Sequence, residues 1–234
     1  MTFASTAGLA LLAGLSIPLG ALVSAHKGLE SFCYHHEIDS FVSYFGGGAL
    51  LAAIALVLVP YGMEHATVPM AAIAFLVGSI TFWQLSSRLN RKSNTASQFL
   101  GMLLDYFPES IALGTAVATG SSSVYLLVVL IALQNMPEGF ASFHEMRDSL
   151  SKRRLWAVFL LVPLLGPLAA WLGYSCLSGS TQVVASLMLF CSGGILYLIF
   201  EDIVPHAHLK NRDFPAIGAV LGFLLGMMGA MLIH

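Results

Sequence analysis

The chain has 234 residues, of which 57% are hydrophobic and only 9% are charged. A soluble domain carries about 25% charged residues, so the few charges here are too sparse to cover a globular surface in water. The apolar residues also form long blocks, close to the ~20 residues that cross a bilayer as a helix. The composition therefore excludes a soluble protein and predicts an all-α polytopic membrane protein without a soluble domain.

Clusters of Gly, Pro, Ser and charged residues divide the chain into eight apolar segments. We expect transmembrane helices at about residues 5–25, 42–63, 68–87, 98–119, 123–146, 155–177, 182–204 and 214–233. These segments are too long, and too continuously apolar, for the alternating strands of a lipid-facing barrel. The first segment lacks a preceding basic stretch and is too long for a signal peptide, so we expect it to be retained. The chain is thus predicted to form a single transmembrane domain over residues 1–234.

The basic residues follow the alternation of these helices. With eight helices, the connections 1–2, 3–4, 5–6 and 7–8 share one side of the membrane. Every Lys and Arg of the chain lies in those connections or at the adjoining helix ends. Basic loops face the cytoplasm, so we expect a multi-pass protein of the bacterial inner membrane with both termini outside the cytoplasm.

The sequence contains signs of an internal repeat. In helix 2, Phe45 and three glycines begin fifteen residues before Pro60, and in helix 7, Phe190 and the following Cys-Ser-Gly begin fifteen residues before Pro205. Helices 1 and 6, and helices 3 and 8, share weaker patterns. An offset of five helices inserts the second copy upside down, and inverted repeats are typical of transporters. We therefore predict a 3+2+3 arrangement, with helices 1–3 and 6–8 around central helices 4 and 5.

The central helices carry acidic residues at helical spacing. In helix 4, Asp105 and Glu109 are four residues apart and share a face, as do Gln134 and Glu138 in helix 5, where Asn135 is also present. A carboxylate within a bilayer is expensive and indicates a functional site. Neither helix core contains Lys or Arg, so a divalent cation would supply the missing charge.

Two other roles remain open for these side chains. The acids could be protonated and bonded to Gln134, Asn135 and Tyr106 as contacts between helices. They could also carry protons, because crowded carboxyl groups hold a proton more tightly.

At these residues the chain resembles the ZIP family of divalent-metal transporters. The sequence Gln-Asn-Met-Pro-Glu-Gly at 134–139 is close to the family's fifth-helix motif, and Pro108-Glu109 fits its fourth helix. The resemblance implies a transporter that moves zinc, iron or manganese toward the cytoplasm by alternating access. The metal ion is then the substrate, the bilayer is the surrounding partner, a homodimer is the expected assembly, and no nucleic acid is involved. The units of helices 1–3 and 6–8 are expected to move relative to the central pair.

The chain also departs from the family pattern. Asp105 replaces the usual His of helix 4, Tyr106 the usual Asn, and Gly166 a Glu that often precedes Pro-Leu in helix 6. Binuclear members use that Asn and that Glu for a second metal. The resemblance therefore implies one principal metal site, formed by Asp105, Glu109, Gln134 and Glu138, with Asn135 nearby. Oxygen ligands favour Mn²⁺ and Fe²⁺ more than a His-containing site would, and Zn²⁺ also accepts them.

Further polar residues suggest a route for the ion. The predicted pathway residues are Glu64, His65, Ser142, Glu145, Glu201, Asp202 and His206. The first cytoplasmic loop contains a second polar group, which could capture or sense metal or simply be solvated. That group is His26, Glu30, Cys33, His35, His36, Glu37 and Asp39.

The sequence argues against an enzyme. The run from His144 to Asp148 lacks the second His of a zinc-protease motif, and no phosphate-binding loop for ATP is present. Two alternatives to metal transport stay open: a ZIP-like homologue that has lost transport and acts as a metal sensor or structural protein, or a carrier of protons or another substrate.

Overall fold

The computed structural model describes residues 3–26, 36–90, 97–122, 124–147, 149–177, 179–203 and 216–233. Every regular element within these ranges is helical. The helices form eight consecutive rods, several of which are long and apolar enough to cross a membrane. The predicted all-α class of polytopic membrane protein is confirmed.

The rods are labelled α1 to α8 in chain order. Helix α1 comprises Phe3–Gly14 and Ser16–Ser24, and α2 comprises His36–Ala53, a π-helical turn at Ile54–Leu58, and Val59–His65. Helix α3 is Val68–Asn90, α4 is Ser97–Ala118 and α5 is Val124–Met146. Helix α6 comprises Lys152–Leu161, a 3₁₀ turn at Val162–Leu164, Leu165–Leu172 and a π-helical turn at Gly173–Leu177. Helix α7 comprises Thr181–Leu198 and a π-helical turn at Ile199–Ile203, and α8 is Ile217–Ile233.

Six of the eight rods are long and apolar enough to span a bilayer within the described residues. These stretches are Ala4–Ser24, Ser40–His65, Val68–Arg88, Val124–Met146, Lys152–Ser175 and Thr181–Glu201. Helix α8 is a shorter apolar helix. Helix α4, one of the two helices that carry the predicted site, contains Asp105 and Glu109 and is not among these six stretches.

Prolines account for several discontinuities in these rods. A proline removes a backbone donor and crowds the carbonyl four residues earlier. Helix α1 breaks at residue 15, three residues before Pro18, and α6 changes to a 3₁₀ turn at Pro163. Pro108 and Pro137, in contrast, lie within continuous α-helices. The two prolines beside the predicted glutamates therefore leave α4 and α5 unbroken.

Among the described helices, the largest difference from the predicted boundaries is at the start of α2. Helix α2 begins at His36, whereas the apolar segment begins near residue 42. His36, Glu37 and Asp39 are polar or charged, with Ile38 between them, and they continue the helix beyond the apolar part. Part of the predicted His-rich loop is thus the first turn of α2.

Helices α4 and α5 lie at the centre of the bundle. They pack against each other; α5 also packs against α1 and α2, and α4 against α6 and α7. The outer pairs are α2 with α8 and α3 with α7. Helix α3 is the most peripheral of the six spans, because only 11% of its most apolar stretch is buried. The predicted site therefore lies where protein surrounds it on most sides.

The outer helix pairs touch through glycines. A Cβ atom added at Gly48 of α2 would lie 2.0 Å from the carbonyl oxygen of Ala219 in α8. One added at Gly193 of α7 would lie 2.1 Å from the carbonyl oxygen of Phe75 in α3. Such distances leave no room for a side chain, so the backbones of each pair are in direct contact.

The reverse contacts repeat the pattern. A Cβ at Gly222 of α8 would lie 2.1 Å from the carbonyl oxygen of Phe45, and one at Gly78 of α3 would lie 1.9 Å from that of Phe190. Phe45 and Phe190 are equivalent positions of the proposed sequence repeat, as are Gly78 and Gly222. The α2–α8 and α3–α7 contacts therefore correspond residue by residue.

We expect Gly48→Ala to lower the midpoint of thermal unfolding of the purified protein in detergent. The added methyl group must push α2 and α8 apart, and overpacking of this kind costs about 1–3 kcal/mol. For a protein of this size that corresponds to a decrease of roughly 2–10 °C. Gly8→Ala is the matched control, because nothing lies within 4 Å of a Cβ at that position. Equal midpoints for the two variants would contradict the contact.

Candidate functional site

Four of the five predicted metal ligands are buried in the centre of the bundle. Asp105 and Glu109 on α4 are 3% and 1% exposed, and Gln134 and Asn135 on α5 are fully buried. Glu138 is partly buried. These side chains are enclosed by the protein, as the cost of a carboxylate in lipid requires.

A hydrogen bond joins the two central helices at this level. Nε2 of Gln134 donates to Oε2 of Glu109, so the amide of α5 contacts the carboxylate of α4. The carboxylate of Glu138 is close enough to that of Glu109 for their charges to interact. The structure therefore brings Glu109, Gln134 and Glu138 together, with Asp105 one turn before Glu109 on the same helix.

Several polar atoms of this group form no hydrogen bond within the part of the chain that the structure describes. They are Oε1 of Glu109, Oε1 of Gln134, both side-chain polar atoms of Asn135, and Oε2 of Glu138. A buried polar atom without a partner costs about 1–3 kcal/mol, and more when it is charged. Four of these five atoms are oxygens, and a bound cation would satisfy them.

The carboxylates do not form a ready-made metal cage. Among the described residues, no three His, Cys, Asp or Glu side chains gather closely enough to hold a metal ion. A cation bound here would therefore need the amide oxygens of Gln134 and Asn135 as well as the carboxylates.

Tyr106 bonds to the neighbouring helices rather than to the acids. Its hydroxyl donates to the carbonyl oxygens of Ala10 in α1 and Pro163 in α6, each at 3.1 Å. A Cβ added at either Gly14 or Gly166 would lie 2.0 Å from that hydroxyl oxygen. Two departures from the family pattern are therefore one structural feature, because Gly166 provides the space that Tyr106 fills.

One residue beside this group was not predicted from the sequence. Cys191 of α7 is a free, fully buried cysteine, and its thiol is close enough to Glu109 and Asp105 for electrostatic interaction. A signal was present, because the sequence repeat pairs Cys191 with Gly46. Gly46 lies on the opposite side of the site, where it packs against Pro137.

Two predicted pathway residues lie at the end of α2. Glu64 is exposed. Nδ1 of His65 donates to the carbonyl oxygen of Tyr61 at 3.0 Å, and the two rings stack with centroids 4.4 Å apart. Local contacts thus account for the position of His65, well away from the buried acids.

Two further pathway residues continue along α5. Ser142 lies one turn after Glu138, is fully buried, and its hydroxyl has no hydrogen-bond partner among the described residues. Glu145 follows and is partly buried. These residues extend the polar face of α5 from the site toward the end of the helix.

The remaining pathway residues lie at the end of α7. Ser86 of α3 donates to Oε2 of Glu201 at 2.6 Å, which links the two helices. The side chain of Asp202 and all of His206 lie outside the described residues, as does the first loop from 27 to 35. His26, at the end of α1, is exposed.

Comparison with known proteins finds zinc transporters. No protein-family model matches the chain. Zinc transporter ZIP9 of Xenopus tropicalis is 28% identical over 214 residues, which cover 85% of this chain and 65% of that protein. Zinc transporter GufA of Myxococcus xanthus is 33% identical over 141 residues, covering 58% of this chain and 56% of its own. Zinc transporter ZIPB of Bordetella bronchiseptica is 30% identical over 131 residues, covering 55% and 42%.

The chain is similar in sequence to these zinc transporters. This similarity confirms the resemblance that the motifs of α4 and α5 indicated. The matched regions span about two thirds or less of the length of these curated relatives. The relatives are named as transporters rather than enzymes, which agrees with the expectation that the chain is not an enzyme.

We expect a double-mutant cycle to show that Tyr106 and Gly166 are coupled. Gly166→Ala should lower the thermal midpoint in the otherwise unchanged protein, because the new methyl group meets the Tyr106 hydroxyl. In the background of Tyr106→Phe, which lacks that hydroxyl, the same substitution should cost less. Contacting residues show coupling energies of about 0.5–3 kcal/mol. Additive midpoint shifts would contradict the contact.

Proposed function

We propose that the protein is a divalent transition-metal transporter that carries zinc, iron or manganese toward the cytoplasm through one site between α4 and α5. The observation that supports this most directly is the group of buried oxygens on Glu109, Gln134 and Glu138. Neither α4 nor α5 contains a Lys or Arg that would neutralise the carboxylates. The names of the relatives make zinc the first ion to test.

The proposed ligands are the carboxylates of Asp105, Glu109 and Glu138 with the amide oxygens of Gln134 and Asn135. In the structure, the amide nitrogen of Gln134 faces Glu109. Turning this carboxamide by half a rotation would present its oxygen to a cation held by Glu109. The ion would then offset the negative charge and satisfy the buried oxygens together.

Alternating access requires two groups of helices that move relative to each other. A Cβ at Gly139 of α5 would lie 2.4 Å from the carbonyl oxygen of Ile17 in α1, and one at Gly114 of α4 would lie 2.0 Å from that of Ala170 in α6. These direct backbone contacts tie α1 and α6 to the central pair. The glycine contact between α2 and α5 is looser. A Cβ added at Gly46 would lie 3.4 Å from the side chain of Pro137, which is an ordinary van der Waals distance. We therefore propose that α1, α4, α5 and α6 move as one body against α2, α3, α7 and α8, a different division from the one expected from the repeat.

The proposed orientation places both termini outside the cytoplasm of a bacterial inner membrane, with a homodimer as the assembly. The ends of α1 and α5 and the start of α6 meet at a cavity that contains Arg147 and Lys152. This common position of basic residues supports that side as the cytoplasmic one.

We expect Glu109→Gln and Glu138→Gln each to weaken Zn²⁺ binding by about 100-fold or more, measured by equilibrium dialysis of the purified protein. Loss of a group that only orients a metal ligand costs 10–100-fold, and loss of a ligand should cost at least as much. Glu64→Gln is the matched control, since Glu64 is exposed at the end of α2. Retained affinity in both variants would refute the site.

We expect saturable uptake of at least one divalent ion into proteoliposomes that contain the full chain, with Zn²⁺, Fe²⁺, Mn²⁺ and Cd²⁺ compared. Uptake should be lost in Glu109→Gln and Glu138→Gln. Absence of flux for every ion with folded, metal-binding protein would favour a sensor or structural role. Proton flux without metal flux would favour a proton carrier.

A further inference from the structure

The cavity where the ends of α1 and α5 meet the start of α6 lies away from the carboxylates. It has a volume of about 560 Å³ and is lined by residues that include Ser24, Phe143, Arg147, Lys152 and Trp156. This volume falls within the range of about 300–1,000 Å³ that is usual for small-molecule sites. Neither the proposed metal site nor the predicted pathway uses these residues.

The charged side chains among the described residues of this cavity are both basic, which favours an anion. Arg147 and Lys152 both line it, and no acidic residue is among the described residues that do so. Arg147 is partly buried and Lys152 is exposed, so the positive charge extends from the cavity to its mouth. A cation on its way through the protein would be repelled here.

The cavity also contains a buried hydroxyl group that lacks a partner. Ser24, in the last turn of the described α1, is 5% exposed. Its Oγ forms no hydrogen bond within the part of the chain that the structure describes. A phosphate oxygen is a strong acceptor for such a donor, and its charge matches Arg147 and Lys152.

The surroundings distinguish a lipid from a free anion. Trp156 lies against Phe143 with ring centroids 4.9 Å apart, and Trp is typical of the membrane–water interface. Leu160, one turn further along α6 and on the same helix face as Trp156, is 60% exposed. An exposed apolar side chain thus lies beside the cavity on the way to the hydrocarbon region, where acyl chains would lie.

We propose that this cavity binds the headgroup of an anionic phospholipid. Arg147 and Lys152 pair with its phosphate, the Ser24 hydroxyl donates to a phosphate oxygen, and the acyl chains cover the exposed Leu160 of α6. This lipid would occupy a defined position at the junction of α1, α5 and α6, unlike the lipids that surround the rest of the protein.

Trp156 provides a local reporter for the test. The other tryptophans, Trp83 and Trp171, are replaced by Phe in the full chain, which is reconstituted in nanodiscs of phosphatidylcholine. Brominated phosphatidylglycerol should quench Trp156 at lower mole fraction than brominated phosphatidylcholine. Arg147→Gln and Lys152→Gln should each weaken this preference about fivefold, because a basic residue near an anionic surface contributes about that factor. Ser24→Ala should weaken it as well.

The matched control is the pair Arg153→Gln and Arg154→Gln, because both residues are exposed near the start of α6 and neither lines the cavity. These variants should keep the preference. Equal quenching by the two lipids, or an equal loss in the control variants, would overturn the proposal. Inorganic phosphate added at constant ionic strength should leave the preference unchanged. If inorganic phosphate abolished the preference, the cavity would be a site for the free anion, and the lipid proposal would be overturned.

Discussion

The central constraint on this protein is that carboxylates at the depth of a bilayer must be enclosed by protein. Glu109 is 1% exposed and Asp105 is 3% exposed, whereas Phe107, between them on α4, is 39% exposed. The polar face of α4 is therefore covered by protein, and an apolar face is left for lipid. Enclosure on this scale requires other helices on nearly every side of α4 and α5. The bundle supplies α1 and α2 around α5, and α6 and α7 around α4. The positions of these four helices follow from the need to cover the polar group.

The hydrophobic effect does not drive helices together within a bilayer, because the lipid chains are as apolar as the helix surfaces. Close van der Waals packing has to hold the enclosure together, and glycine permits the closest approach. The contacts of Gly114 with Ala170 and of Gly139 with Ile17 bring backbone onto backbone beside the site. Tyr106 packs in a different way, because its large side chain fills the space that Gly14 and Gly166 leave. Tyr106 and Gly166 therefore belong to one packing arrangement between α1, α4 and α6.

Much of the fold could be predicted because the bilayer fixes the length and polarity of each helix. The eight apolar segments each contain one helical rod, and the prolines of α1 and α6 mark where their rods break. The shared face of Asp105 and Glu109 also follows from helical spacing alone. Contacts between helices could not be predicted in this way. The bond from Gln134 to Glu109 and the position of Cys191 depend on how far one helix slides along another, and glycine contacts between distant segments set that distance. The polar start of α2 at His36 carries no apolar signal and was missed for that reason.

Helix α5 shows how the proposed metal path and the proposed lipid site can occur side by side. Each residue turns an α-helix by about 100°, so Ser142 and Glu145 lie within about 40° of Glu138. Phe143 lies about 140° from Glu138, on the other face, and Arg147 directly follows the last residue of α5. The face with Glu138 continues as hydroxyl and carboxylate toward the end of the helix, where it suits a departing cation. The face with Phe143 borders the cavity shared with Ser24 and Trp156. The proposed metal path and the proposed lipid site therefore lie on different faces of α5, and a cation leaving along Ser142 and Glu145 would be separated from the bound headgroup by part of the helix.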